Sequence, residues 1–192
     1  MQARHVLSPA CLCLLVAMPA HAASVPQGFS SGLAGPLLTY VHLLGLLGLG
    51  LWLDMQGRGT PGGGTVAALL AGLGFALLTR AGVVVPYAAL ALEASLLVLG
   101  GLLVAGVTLP RLAGLAGAAI VGALHGISLS QWGGPVTRHL LFWPGMLTGC
   151  LLLVTAGVGL SATLYPLGAG KASRILGVVI GLVGLLMLLN VL

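Results

Sequence analysis

The sequence predicts an all-α, polytopic membrane protein: a bundle of about six transmembrane helices behind a cleaved signal peptide. Three observations lead there. Of 192 residues, 59% are hydrophobic and 5% charged, whereas soluble domains carry about 25% charged residues. Two acids and seven bases cannot cover a water-facing surface. Apolar runs near bilayer length recur along the chain, each closed by Pro, Gly or Arg. The net charge of +5 comes from bases scattered singly. Such bases set topology rather than bind phosphates, so the expected partner is the lipid bilayer and not nucleic acid.

The elements follow in order. Met1 to Ala22 has a signal peptide's layout, with Arg4 first, an apolar stretch from Val6 to Met18, and the small-x-small site Ala20-His21-Ala22. Pro9 and Pro19 interrupt a run already too short for a comfortable span. Cleavage is expected after Ala22, leaving residues 23–192 as one transmembrane domain, with a retained anchor as the alternative. Cys11, Cys13 and His21 would then be lost. Cys150, in an apolar helix, would be the one thiol left, and reads as a packing residue.

Six apolar segments come next: Leu37 to Leu53, Val66 to Thr79 (extending toward Val85), Tyr87 to Val107, Leu112 to Leu129, His139 to Leu160, and Ser173 to Leu192. Turn-like breaks separate them at Gly57 to Gly64, Arg80 to Pro86, Pro110-Arg111, Gly133-Gly134-Pro135 and Pro166 to Lys171. With the mature N-terminus outside, the cytoplasmic loops carry Arg58, Arg111, Lys171 and Arg174, and the outer ones Arg80 and Arg138. That bias of four against two agrees with the positive-inside rule. Glycine is abundant at 32 residues. The pairs Gly122/Gly126, Gly145/Gly149 and Gly177/Gly181 are spaced for close helix packing, within one bundle or, alternatively, between two copies.

Few polar residues lie inside these spans, and each needs a partner, a cavity or the membrane edge. His42 stands near the outer end of the first helix. His125 stands one to two turns from the outer end of the fourth, which runs the opposite way, so the two fall at similar depth. Neutral imidazole ligates nickel, copper, zinc and cobalt, and two rings at one depth could share an ion in transit. The plainer alternative is that each ring hydrogen-bonds a carbonyl or hydroxyl between packed helices. Glu93, the only acid well inside a span, is a cation ligand or proton carrier, or else a protonated side chain bonded to a neighbour, Arg80 included. His139 beside Arg138 reads as interfacial, and Asp54 with Arg58 as a helix-end surface pair.

With these residues in view the chain resembles the HupE/UreJ family of hydrogenase and urease accessory membrane proteins, regarded as nickel permeases. The likeness covers the whole mature chain. The family's first helix opens with His-Pro-x-x-Gly-x-Asp-His and later carries Gly-Leu-Trp. The same frame here runs from Gly35-Pro36 through Val41-His42-Leu43-Leu44 to Gly50-Leu51-Trp52. The family's fourth-helix pattern, Phe-His-Gly-x-Ala-His-Gly-x-Glu, corresponds to Leu124-His125-Gly126-Ile127-Ser128-Leu129-Ser130-Gln131-Trp132. Ser95-Leu96-Leu97-Val98-Leu99-Gly100 resembles the third helix. Gly35, Val41, Leu129 and Trp132 replace a His, an Asp, a His and a Glu of those motifs, and a fifth-helix His is missing. Glu93 lies one helical turn from Ala89, where the family's third-helix Glu falls.

The resemblance implies passage of nickel, or another divalent metal, toward metalloenzyme maturation proteins, with His42 and His125 as a first station and Glu93 as the next inward. The metal would be cargo, with no tightly bound cofactor. Uptake would fall as pH drops through the range where imidazole protonates, near 6.5 when unperturbed. A non-transporting scaffold or assembly partner that has lost the metal site is the alternative. A proton-coupled carrier for a small organic solute has only Glu93 in its favour. No phosphate-binding loop, nucleophile–base pair or paired carboxylates occur, so ATP-driven work and enzyme activity are not expected.

Overall fold

A computed structural model of the chain describes residues 28–57, 59–131, 139–164 and 169–190. The expected signal peptide, Arg58, Arg138 and the turns at 133–135 and 166–168 lie outside the described residues. Seven helices make up the rest: α1 (Phe29–Leu38), α2 (Tyr40–Met55), α3 (Thr60–Arg80), α4 (Ala88–Ala105), α5 (Arg111–Gln131), α6 (Phe142–Leu164) and α7 (Ala169–Leu188). There is no strand among the described residues. Helices are what an apolar chain must form in lipid, because each span satisfies its own backbone polar groups.

Five helices are long and apolar enough to cross a membrane, and α1 with α2 makes a sixth crossing if that pair is one span bent by 78°. The protein is a multi-pass membrane protein. The bend comes at Thr39, which is extended at φ −99° and ψ 113°. Pro36, inside α1, has no N–H for the Gly32 carbonyl and crowds the preceding turn, so α1 is weakened just before the break. The sequence shows the proline but not that a separate helix precedes it.

The second span grows in the direction opposite to the one expected. It ends at Arg80 and does not reach Val85. Gly82, at φ +97°, closes it, with Gly82 N–H bonded to the Thr79 carbonyl and Val83 N–H to the Leu78 carbonyl. That double bond pattern is a Schellman stop. At the other end α3 absorbs the Gly62-Gly63-Gly64 run. Pro61 starts the helix, its fixed φ suiting the first turn. Gly64 stays glycine because a Cβ there would run into the Leu53 side chain. Gly106 (φ +67°) closes α4 in the same Schellman pattern, with Gly106 N–H to Leu103 and Val107 N–H to Leu102.

All three spaced glycine pairs are used within the chain. Gly122 and Gly126 of α5 meet the backbone of Ala68 and Gly72 on α3. Gly145 and Gly149 of α6 meet Phe29, Leu33 and Pro36 of α1. Gly177 and Gly181 of α7 meet Gly100 of α4. At Gly122, Gly126, Gly145, Gly149 and Gly177 a Cβ would strike the neighbouring helix, so glycine is what lets the helices touch there, whereas Gly181 would take a Cβ at ordinary contact distance. Against lipid tails there is no hydrophobic force between helices, and such close contact supplies the attraction instead. Helix α2 is the centre: it packs against every other helix, and Leu46, Leu49, Leu51, Trp52 and Leu53 are all buried.

Candidate metal-ion site

The central helix carries His42 in its first turn, directly after the Thr39 break. Its ring is 2% exposed. From α5, six residues before that helix ends at Gln131, His125 comes in at 1% exposure. The two Nδ1 atoms are 2.7 Å apart, with ring centroids 5.0 Å apart and planes inclined at 60°. Gly45 makes the meeting possible. It lies one turn along α2 on the face of His42, and a Cβ there would be only 2.5 Å from His125 Nε2. The signal for Gly45 was the i, i+3 spacing from His42, which sequence reasoning passed over.

Two neutral imidazoles facing each other through Nδ1 allow two proton arrangements. In one, His42 donates and His125 must carry its proton on Nε2. In the other, His125 donates, and His42 carries its proton on Nε2. Ser128 decides how well each is satisfied. Its Oγ is 3.4 Å from His42 Nε2 and can accept or donate there. His125 Nε2 has no hydrogen-bond partner among the described residues. Under either arrangement one buried ring nitrogen is left unsatisfied, a loss on the order of 1–3 kcal/mol. The second arrangement leaves a bare lone pair on His125 Nε2.

The other polar residues divide clearly. Ser130 does not join the pair; its hydroxyl donates to the Ile127 carbonyl at 2.7 Å. His139 is exposed, before α6 begins. Glu93 sits on the flank of α4 that faces α7, where its carbonyl oxygen is 3.0 Å from the position of a Cβ on Gly184. Counted from Ala88 at about 1.5 Å per residue, Glu93 is about 7.5 Å into its helix, no deeper than His125 is from the end of α5 at about 9 Å. Among the described residues no three His, Cys, Asp or Glu side chains come together as a metal-binding group. The histidines meet, and Glu93 does not complete a trio with them.

A family model described as "HupE / UreJ protein" matches residues 10–187. The chain belongs to the HupE/UreJ family. Comparison with curated proteins and with solved structures gives no match. As a HupE/UreJ protein the chain is a membrane accessory protein of a group related to nickel transport.

Proposed function

We propose that this HupE/UreJ protein passes a divalent metal, nickel first among them, across the bacterial inner membrane for metalloenzyme maturation, with the mature N-terminus on the periplasmic side. His42 and His125 form the entry station, and Glu93, at a similar depth on α4, is a separate cation ligand beside it. The observation that carries this reading is the pair itself: two buried imidazoles from helices distant in sequence, 2.7 Å apart at Nδ1. Rings that close can take one ion between them after a small separation and a proton shift from Nδ1 to Nε2. A station of two imidazoles, hydroxyls and water binds loosely enough to release its ion, which conduction needs. The bent α1–α2 span adds support, since discontinuous helices frame substrate sites in many transporters.

One observation favours a second reading. With no third acidic, Cys or His side chain grouped at the pair among the described residues, the two histidines also work as a buried interhelical hydrogen bond in a scaffold without cargo. Calorimetric titration with nickel, cobalt and zinc separates the two, run on the purified protein and on a His42→Ala/His125→Ala variant. Saturable binding that is lost in the variant, together with nickel uptake by proteoliposomes of the intact chain, is the expected result. No binding by the intact protein at millimolar metal refutes the permease and leaves the scaffold.

A further inference from the structure

A cavity of about 290 Å³ lies at the end of the bundle away from the histidine pair. His42 is in the first turn of α2, whereas Asp54, in the wall of this cavity, is the last residue but one of that helix. Leu103 near the end of α4, Ser161 in the last turn of α6, and Gly170, Ser173 and Arg174 in the opening turns of α7 also line it. The volume far exceeds what one water or ion needs. It comes close to that of ligand sites, about 300–1,000 Å³.

The wall has two sides of opposite charge. Helices α2, α4 and α6 present their C-terminal ends here, which carry partial negative charge. Asp54 adds a full negative charge. Helix α7 presents its N-terminal end, which carries partial positive charge and has N–H groups without partners inside the helix. Arg174 adds a full positive charge. Ser161 and Ser173, both buried, bring hydroxyls that donate or accept. A simple anion would meet Asp54 and three negative helix ends. A simple cation would meet Arg174 and the start of α7. A zwitterion suits both sides.

Position selects the source of that zwitterion. The cavity stands where span-length helices end, at the level of the lipid headgroups. From Arg174 a stripe of exposed apolar side chains, Val178, Leu182 and Leu185, runs along α7 at helical spacing. A soluble zwitterion gains nothing from that stripe, whereas an acyl chain covers it.

We infer that this cavity holds the headgroup of an ethanolamine phospholipid. The ammonium lies at Asp54, the phosphate at Arg174 and the start of α7, and one acyl chain runs along Val178 and Leu182. Bound there, the lipid links the end of α2 to the start of α7. The site shares no residue with the histidine pair, so it stands whatever the nickel titration gives.

The test uses the purified full chain, stripped of native lipid in detergent. Dioleoyl phosphatidylethanolamine and dioleoyl phosphatidylglycerol are added in turn, and bound lipid is counted by native mass spectrometry. One ethanolamine lipid per chain is expected, held at least about threefold tighter than the glycerol lipid, the effect of one partly exposed ion pair. Asp54→Asn should abolish that preference, and Arg174→Gln should weaken both lipids. Equal binding of the two lipids by the intact chain, or a preference that survives Asp54→Asn, overturns the inference. A photoactivatable ethanolamine phospholipid on the unaltered chain decides even if the variants do not fold. Cross-links at the end of α2 and the start of α7 support the site, and cross-links only elsewhere refute it. Soluble phosphoethanolamine that raises the melting temperature as much as the lipid does overturns the lipid as occupant.

Discussion

Gly45→Ala puts the histidine geometry to its sharpest test. The added methyl would stand 2.5 Å from His125 Nε2 and 2.6 Å from Cε1, where ordinary contact begins at 3.4 Å. The shortfall is about 0.9 Å. Helix α2 is packed on all sides, so the ring gives way rather than the backbone. Gly45 and His42 share a face of α2, and a ring pushed off Gly45 therefore also retreats from His42. The Nδ1–Nδ1 separation would open from 2.7 Å to roughly 3.6 Å, beyond the range of about 3.2 Å in which such a bond holds. Two buried ring nitrogens losing each other costs about 1–3 kcal/mol. Overpacking adds about 1–3 kcal/mol. At roughly 2–4 °C per kcal/mol for a chain of this size, the melting temperature falls by at least about 4 °C.

Gly101→Ala is the internal reference. Its Cβ would meet nothing within 4 Å, and a helical Gly→Ala change in open space gains up to about 1 kcal/mol. Both variants are melted in the same detergent and titrated with nickel. Gly45→Ala should melt well below Gly101→Ala and bind nickel more weakly than the unaltered chain. If the two variants melt together and Gly45→Ala keeps full nickel affinity, the account of how His125 is seated is wrong.

Two further outcomes bear on the scaffold that holds the site. Gly126→Ala drives a Cβ into the backbone of Gly72, forcing α3 off α5 and costing about 1–3 kcal/mol or more, while Gly74→Ala, in open space, should be tolerated; equal thermal stability of the two would refute glycine-mediated packing. Gln56→Ala removes an amide that donates to the Trp52 and Val107 carbonyls at 3.2 Å each and accepts from Leu109 N–H at 2.7 Å. Faster hydrogen exchange at Leu109 and a loss of about 1–3 kcal/mol are expected, and unchanged exchange there would show that Gln56 does not tether the α4–α5 turn.

Composition and periodicity made the membrane bundle legible, because a chain with so few charges has no other solvent to live in. Segment order and most helix ends followed from Pro, Gly and Arg, since each acts on the backbone locally. The Gly62-Gly63-Gly64 run misled for a physical reason: three glycines resemble a turn until Gly64 is seen making room for the Leu53 side chain of another helix, while Gly62 faces open space. His42 and His125 were visible as polar residues at one depth. Sequence spacing within each helix supported that, because rise per residue is fixed. Their contact was not visible. It depends on the bend at Thr39, on the absence of a side chain at Gly45, and on the closeness of α3 and α5 at Gly72 and Gly122. Nor could the sequence set the backbone of Glu93 against Gly184 of α7. Local rules give each helix its faces. Which faces meet is a sum of many weak contacts across the bundle, and only the tertiary structure decided it.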